Sequence, residues 1–444
     1  MKFFVKVLLV LVLLLIPMKV FSPVGQDYPE HVSFTGQDLS VLPNPKNPLY
    51  VGVEGTLLEG EGTTRLLQLG EKVFLIAYED DYARVMDRQG RIGKILRGSL
   101  SETQELGHIE SPIEGVSYEA NLSKAEAFRQ DEGTRGIYIS REHMYNLQEY
   151  IEEAEGSIIN TFVFDYKVAG NIYFESDALK EHGINASGRA YNGKEFLAPL
   201  KEAGIKSIAK IDAFRSPNYA RANPTTALSH NGEPLLYQDL YWISPYDRDH
   251  WRYVVDIAKE ALDAGFDEVQ FDFVRFPIIN VEDVDYHNTR SETRAEAVQK
   301  FLYYAEEALR PYQRMVSANL YGRSSHYLDD EGVGMQFEAI SNAVDVVSPM
   351  IFPSYYGEGN LGVSYPEEQA YELVKANVEE AHWRNRNLKT PALLRPWLQA
   401  FSQAITYDEV KINDMIKALD EEGIQDFLLY NEKGEYPIKA LRRP

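Results

Sequence analysis

Hydrophobic and polar residues alternate most clearly in residues 268–274. Two sets of side chains take turns there: apolar Val269, Phe271 and Phe273, and polar Glu268, Gln270 and Asp272. Because successive side chains of a strand point to opposite faces, this pattern predicts a strand with one apolar and one acidic face. Such a strand suits a parallel barrel, whose strand ends carry catalytic residues. A half-exposed edge strand with a solvated acidic face is the alternative.

Strand-like and helical patterns alternate from residue 135 to the C-terminus. The predicted strands are residues 136–140, 158–166, 207–214, 268–274, 315–320, 344–351, 393–398 and 426–430. The predicted helices are residues 144–154, 193–203, 247–264, 294–309, 336–342, 367–383 and 407–421. This alternation over about 310 residues predicts an α/β fold, a (β/α)8 TIM barrel. An open doubly wound sheet would need a Gly-rich phosphate-binding turn, and no such turn follows these strands.

Shorter strand-like runs lie nearer the N-terminus, at residues 52–58, 72–78, 82–86 and 91–95, with turn signals between them. They predict a small all-β barrel. The motifs at residues 69–73, 82–85 and 89–93 resemble those of a bacterial SH3-like domain. The resemblance implies a module that holds cell-wall material, and a spacer that supports the larger domain is the alternative.

The first residues combine a short basic start with a continuous apolar run at residues 7–16. This is the pattern of a secretory signal, and the run is shorter than the roughly 20 residues of a membrane span. We therefore predict that residues 1–22 are a signal peptide or N-terminal anchor and that the protein is extracytoplasmic, secreted or anchored. The predicted organisation continues with a linker at 23–48, the SH3-like barrel at 49–102, a connector at 103–132 and the TIM barrel at 133–444.

The charge, cysteine content and histidine spacing of the chain argue against several classes of partner and site. A net charge of −23 argues against nucleic acid as a partner, because few basic groups are available to neutralise phosphates. A membrane contact is expected only through the N-terminal segment. With no cysteine, the chain has no disulfide, thiolate metal site or cysteine nucleophile. The nine histidines form no ligand-spaced cluster, so no metal and no cofactor are predicted.

Polar side chains recur where the predicted strands end. They are Asp165, Lys167, Lys210, Asp212, Glu268, Gln270, Asp272, Arg275, Asn319, Arg395 and Gln399, with the aromatic residues Trp242, Tyr321, Tyr355, Tyr356 and Trp397 among them. In a barrel these strand ends converge at one mouth. Carboxylates and amides bind sugar hydroxyls, and aromatic faces bind sugar C–H edges, so the pattern predicts a carbohydrate site. For any single residue in the set, a purely structural role is the alternative.

Three segments, residues 265–277, 347–356 and 394–401, resemble the motifs of an uncharacterised bacterial family assigned to the glycoside hydrolases, in the same order. The resemblance covers about residues 133–436. It implies a TIM barrel distantly similar to the α-amylase superfamily, with Asp272 as the nucleophile. Two positions depart from the family pattern: Asn319 stands where the family has Asp, and Lys210 stands where it favours Arg.

The mechanism that we predict is hydrolysis of a glycosidic bond by two carboxyl groups. Asp272 would attack or stabilise the anomeric carbon, with Lys210 and Arg275 holding it ionised. Asp165 or Asp212 would be the acid.

The residues predicted to bind substrate are Lys167, Lys210, Glu268, Gln270, Arg275, Asn319, Tyr355, Arg395, Trp397 and Gln399. The expected partner is an extracellular polysaccharide or cell-wall glycan. A catalytically silent carbohydrate-binding barrel is the alternative that Asn319 supports, and a deacetylase would need a metal site.

Overall fold

The computed structural model describes residues 48–442, except residues 54, 61–62, 103–112, 122–123, 125–132, 186–189 and 280. The predicted signal or anchor segment and the linker up to residue 47 lie outside these residues. None of the helices within the described ranges is long and apolar enough to cross a bilayer.

An antiparallel sheet of seven strands forms the N-terminal region. Its strands are β1 (Pro48–Val51), β2 (Leu57–Gly60), β3 (Thr63–Leu66), β4 (Lys72–Glu79), β5 (Tyr82–Asp87), β6 (Ile92–Leu96) and β7 (Leu100–Ser101). Val51, Val73 and Val85 are at the centre of its core. The predicted all-β region is confirmed, but the predicted strand at 52–58 is wrong in its bounds. Gly55 has a φ of 77° and lies in a turn between β1 and β2.

Fifteen further strands lie in the described residues that follow β7. In chain order they are β8 (Arg135–Ile139), β9 (Thr161–Val168), β10 (Asn171–Ile172), β11 (Lys206–Asp212), β12 (Ser229–His230), β13 (Glu233–Pro234), β14 (Leu236–Tyr237), β15 (Leu240–Tyr241), β16 (Glu268–Asp272), β17 (Val284–Asp285), β18 (Met315–Tyr321), β19 (Val346–Ile351), β20 (Leu393–Leu394), β21 (Trp397–Gln399) and β22 (Phe427–Tyr430).

Eight of these strands form a closed parallel barrel in the order β8-β9-β11-β16-β18-β19-β21-β22. β22 pairs with β8, which closes the barrel and confirms the predicted TIM-barrel fold. The predicted seventh strand is divided into β20 and β21. Pro396 lies between them, and its lack of an N–H group is incompatible with continuous pairing.

The helices follow the predicted pattern closely. They are α1 (Leu147–Ala154), α2 (Ala178–Glu181), α3 (Gly193–Glu202), α4 (Pro217–Ala222), α5 (Arg248–Ala264), α6 (Arg294–Leu309), α7 (Phe337–Ala343), α8 (Ala370–Asn385) and α9 (Glu409–Glu421). Local signals set their ends: Asp247 caps α5, Thr293 and Glu296 form a capping box on α6, and Gly265 ends α5 with a φ of 106°.

Two insertions at the C-terminal side of the barrel were not predicted from the sequence. Strands β12 to β15 lie between β11 and α5, and β17 lies between β16 and α6. β12 pairs with β17, so the loops after the third and fourth barrel strands are joined. Their two-residue strands are too short to give a period-two signal.

The N-terminal sheet packs against α8 of the barrel. Arg88 of the sheet region is buried, forms an ion pair with Glu380, and places its guanidinium 4.6 Å from the ring centre of Trp383. Lys72 pairs with Glu379 at 2.8 Å. A groove of about 1420 Å³ lies along this contact, well away from the barrel mouth.

Candidate active site

Three charged side chains meet at the C-terminal mouth of the barrel. Asp165 lies on β9, Lys210 on β11 and Asp272 at the end of β16. Asp165 and Lys210 are register partners on adjacent strands. The Lys210 Nζ lies 3.0 Å from the Asp165 Oδ1 and 3.4 Å from the Asp272 Oδ2. We call these three residues the carboxylate–lysine cluster.

Lys210 stays charged at the centre of this cluster. Burial alone would lower the pKa of Lys210, but the carboxylates of Asp165 and Asp272 outweigh it and hold the pKa above its ordinary value. Asp165 is fixed in addition by two donors, the Tyr138 hydroxyl at 2.8 Å and the Arg141 backbone N–H at 3.3 Å. The cluster is therefore a rigid ionic arrangement.

Asp272 is the carboxylate most open to a ligand. Its side chain is 16% exposed, compared with 3% for Asp165 and 0% for Asp212. Its Oδ1 accepts a hydrogen bond of 2.9 Å from the backbone N–H of Phe273. Phe273 has a φ of 47°, in the left-handed region that a bulky residue seldom adopts. Strain of this kind next to a carboxylate is typical of functional sites.

Asp212 and Lys167 are enclosed rather than open to the mouth. The Asp212 Oδ2 accepts hydrogen bonds from Arg215 at 2.8 Å and from the Ala169 backbone at 2.7 Å. Burial raises the pKa of Asp212, but the nearby cations, Arg215 first, bring it below its ordinary value. The Lys167 Nζ donates to the Asp212 carbonyl and to the Ser216 hydroxyl at 2.6 and 2.7 Å. Burial lowers the pKa of Lys167 to about 7.

Glu268 and Arg395 lie inside the barrel but below the mouth. Arg395 binds the Glu268 carboxylate with two nitrogen atoms, and both side chains are buried. Glu268 also lines a cavity of about 50 Å³ together with Thr134 and Lys206, at the N-terminal end of the strands. The structure therefore does not bring this pair to the carboxylate–lysine cluster. Gln270 is different, because it is the register partner of Lys210 on β16, although it is fully buried.

Arg275 lies among aromatic rings. Its guanidinium is 5.0 Å from the ring centre of Trp242, 5.4 Å from that of Phe273 and 5.1 Å from that of Tyr321. Its Nη1 donates to the Phe276 carbonyl at 2.9 Å. Lys210 is thus in direct contact with Asp272, and Arg275 packs against the rings around the strained Phe273.

The side-chain amides of Asn319 and Gln399 each form hydrogen bonds with a neighbouring residue at the mouth. The Trp397 Nε1 donates to the Asn319 Oδ1 at 2.8 Å, and both side chains are buried. Gln399 donates to the Ser354 hydroxyl at 2.6 Å and accepts from the Ser354 backbone at 3.1 Å. Gln399 therefore holds the loop after β19, which carries Tyr355.

Aromatic side chains form one wall of the mouth, and three of them, Tyr138, Tyr430 and Phe401, were not predicted from the sequence. Tyr138 and Tyr430 stack with ring centres 5.1 Å apart and an angle of 18°. Phe401 packs edge-on against Tyr430 and tilted against Tyr355. We call Tyr138, Tyr430, Tyr355 and Phe401, with Trp397, the aromatic wall. The sequence did contain a signal for Tyr138 and Tyr430, because each lies within a predicted barrel strand, the first and the last.

No group of three or more His, Cys, Asp or Glu side chains in the described part of the chain is arranged to hold a metal ion. Three further acidic residues, Asp329, Asp330 and Glu331, follow β18 and are held by neighbouring groups. Glu331 is bound by Arg323 and Ser324, whereas the side chains of Asp329 and Asp330 accept hydrogen bonds from nearby backbone N–H groups.

Comparison with known families identifies the domain. Residues 136–436 match the model of a family described as "Putative glycosyl hydrolase domain". The chain belongs to this family. The match runs from β8 past β22 and so includes the entire barrel with its carboxylate–lysine cluster. The family description assigns this domain to the glycosyl hydrolases and leaves its substrate open.

Several solved structures are similar to this chain at low sequence identity or over part of its length. A hypothetical protein from Ruminiclostridium thermocellum ATCC 27405 is 31% identical, with 44% of this chain and 98% of that chain covered and a TM-score of 0.37. The PgaB (BpsB) glycoside hydrolase domain from Bordetella bronchiseptica is 16% identical, with 68% and 95% covered and a TM-score of 0.49. The α-galactosidase TtGalA from Thermus thermophilus is 12% identical, with 86% and 73% covered and a TM-score of 0.46. No curated protein matches the chain.

Proposed function

We propose that the barrel hydrolyses glycosidic bonds in an extracellular or cell-envelope polysaccharide by a two-carboxylate mechanism. One observation carries the proposal: two strand-end carboxylates, Asp165 and Asp272, share the ammonium of Lys210 at the mouth of a glycosyl hydrolase barrel. Catalytic residues of TIM barrels lie at this end of the strands.

Asp272 is the nucleophile in this proposal. It is the most exposed carboxylate of the cluster, and its Oδ2 forms an ion pair with the Lys210 ammonium. The N–H of Phe273 fixes the second carboxylate oxygen, so the free lone pairs point in a defined direction. The position also agrees with the distant similarity to the α-amylase superfamily that the sequence motifs imply.

The aromatic wall is the proposed binding surface for the sugar rings. Tyr355 and Phe401 are half-buried, which leaves part of each ring available for the C–H edges of a sugar. With a net charge of −23, the protein suits a neutral or cationic polymer better than an acidic one. The predicted export signal and the SH3-like order of the N-terminal strands support a substrate outside the cytoplasm.

A catalytically silent carbohydrate-binding barrel is the second candidate. Asn319 favours it, because the resembling family has an Asp there and an amide cannot act as a proton donor in the way a carboxylic acid does. The aromatic wall would serve this function equally well.

The test is a screen of purified protein against envelope and capsular polysaccharides with detection of new reducing ends. Wild type and Asp272→Asn are compared on every polymer, and binding is measured on the same panel. New reducing ends with the wild type alone support the hydrolase. Binding by both proteins with no new ends in either would instead establish the silent barrel.

A further inference from the structure

A nucleophile at Asp272 needs a partner that donates a proton, and neither partner expected from the sequence is placed for that. Asp165 is tied to the ammonium of Lys210, and Asp212 is enclosed beside Arg215. Both oxygens of Asp165 are already engaged, Oδ1 by the Lys210 ammonium and Oδ2 by the Tyr138 hydroxyl and the Arg141 N–H. The acid has to come from another part of the mouth.

Glu432 lies two residues beyond β22, on a tight turn at the mouth, and is half-buried. The preceding residue, Asn431, fixes this turn. Its side chain accepts a hydrogen bond of 3.0 Å from the Lys433 backbone and donates to the Ala400 carbonyl at 2.9 Å. The backbone that carries Glu432 is therefore rigid.

Both residues that precede Glu432 are attached to Tyr138, whose hydroxyl binds Asp165. The ring of Tyr430 stacks on that of Tyr138. The Asn431 N–H donates to the Tyr436 hydroxyl at 2.9 Å, and this hydroxyl donates to the Tyr138 carbonyl at 2.7 Å. Glu432 is thus held on the Asp165 side of the mouth.

The surroundings of Glu432 favour its protonated form. Burial raises the pKa of Glu432, the carboxylates of Glu142 and Asp165 raise it further, and Arg141 opposes them. Burial raises the pKa of the Tyr430 phenol, and the charges of Glu432, Asp165 and Asp272 raise it further. A carboxyl group whose pKa is raised by its surroundings is suited to act as a general acid.

We propose that Glu432 is the general acid and base of the reaction, with Asp272 as nucleophile and Asp165 as the positioning residue beside Glu432. The inference rests on the proposed hydrolase function. In the first step the Asp272 carboxylate bonds to the anomeric carbon while the glycosidic C–O bond breaks. The departing oxygen takes the bonding pair and the proton of Glu432. In the second step the Glu432 carboxylate takes a proton from water, whose oxygen bonds to the anomeric carbon and releases Asp272.

The test compares two aryl glycosides of the sugar identified in the polysaccharide screen. A 2,4-dinitrophenolate leaves without a proton, whereas a phenolate leaves poorly unless it is protonated. Glu432→Gln should slow hydrolysis of the phenyl glycoside by about 10²- to 10⁴-fold and leave the dinitrophenyl rate within a few-fold of wild type. The alkaline limb of the pH profile should disappear as well. The groups that face Glu432 in that titration are Glu142, Asp165, Arg141 and Tyr430.

Glu435→Gln is the matched control, because Glu435 lies in the same turn, is exposed, and contributes its backbone carbonyl to Asn431. It should behave as wild type on both substrates. Thermal unfolding of each variant verifies that the turn is intact. Equal loss on both glycosides, or none, by folded Glu432→Gln overturns the assignment while the hydrolase stands. A wild type that cleaves neither substrate nor any polysaccharide overturns the proposed function itself, and the assignment with it.

Discussion

Arg88 and Glu380 form an ion pair in which neither side chain reaches solvent, and this pair joins the N-terminal sheet to the barrel. Removing one partner of a buried pair leaves an uncompensated charge. We expect Arg88→Met to lower the free energy of unfolding by about 3 kcal/mol, measured by denaturant unfolding. Lys180→Met, which breaks the exposed pair with Asp177, is the control and should cause no measurable change. Equal changes in the free energy of unfolding for the two substitutions would mean that the buried ion pair does not hold the two regions together.

Asp272→Asn should abolish hydrolysis and leave the fold nearly as stable as wild type or more stable. The amide keeps the oxygen that accepts from the Phe273 N–H, and Lys210 keeps Asp165 as its partner. Turnover on the polysaccharide and the thermal midpoint are measured together. Asp239→Asn, on an exposed loop, serves as the control. A structural role for Asp272 would appear instead as a loss of about 3–5 kcal/mol in stability.

Two substitutions of Lys210 test whether the site needs a positive charge at this position or only a side chain of similar length. Lys210→Arg keeps a cation between Asp165 and Asp272. We expect this variant to fold and to retain most of its activity. Lys210→Met leaves two carboxylates without their shared cation and should reduce both activity and the thermal midpoint. Full activity in the methionine variant would show that the ammonium is dispensable.

Stability should fall as the pH rises, because of one buried carboxyl group. Burial, with the charge of Asp345 adding to it, raises the pKa of Glu306 from 4.5 to about 9. The unfolded chain therefore releases this proton at a lower pH than the folded chain. The stabilising contribution is complete below pH 4.5 and is lost progressively as the pH approaches 9.

Glu306→Gln replaces the protonated carboxyl group by an uncharged amide of the same shape. It should raise the thermal midpoint at pH 8 and make stability less dependent on pH. Glu307→Gln is the exposed neighbour and should leave both unchanged. A steep pH dependence that survives in Glu306→Gln would point to another group.

Asn319→Asp should not increase hydrolysis. The Asn319 side chain is 2% exposed, and its oxygen already accepts from Trp397, so a new carboxylate there would be buried rather than offered to a substrate. The thermal midpoint should drop and turnover should stay level or fall. A gain in turnover would mean that this chain is a weakened member of its family and that position 319 carries the acid.

Much of the fold was predictable because its signals are local. Helix α6 was predicted at residues 294–309 and occurs at Arg294–Leu309, since apolar periodicity and the Thr293 cap both lie within the segment. Strand β16 shows the predicted alternation: Val269 and Phe271 face outward to the helices, and Phe271 packs on Phe301 of α6. The paired two-residue strands β12 and β17 escaped prediction because their partner is distant in the chain.

The sequence by itself determined which residue types end the barrel strands, and hence that Asp165, Lys210 and Asp272 would converge. Only the tertiary structure decided which of the other candidates join them. Glu268 shares a face with Asp272, but four residues of strand separate them by about 13 Å, so Glu268 serves the opposite end.

Lys167 would share a face with Asp165 in a regular strand. The pairing of β9 with β11 passes from Asp165 directly to Lys167, and this bulge breaks the alternation. The ammonium of Lys167 therefore binds the Asp212 carbonyl instead of entering the cluster. The position of a residue in the sequence predicts which face of a strand its side chain occupies only while the strand is regular. Whether a bulge forms depends on contacts with the neighbouring strand.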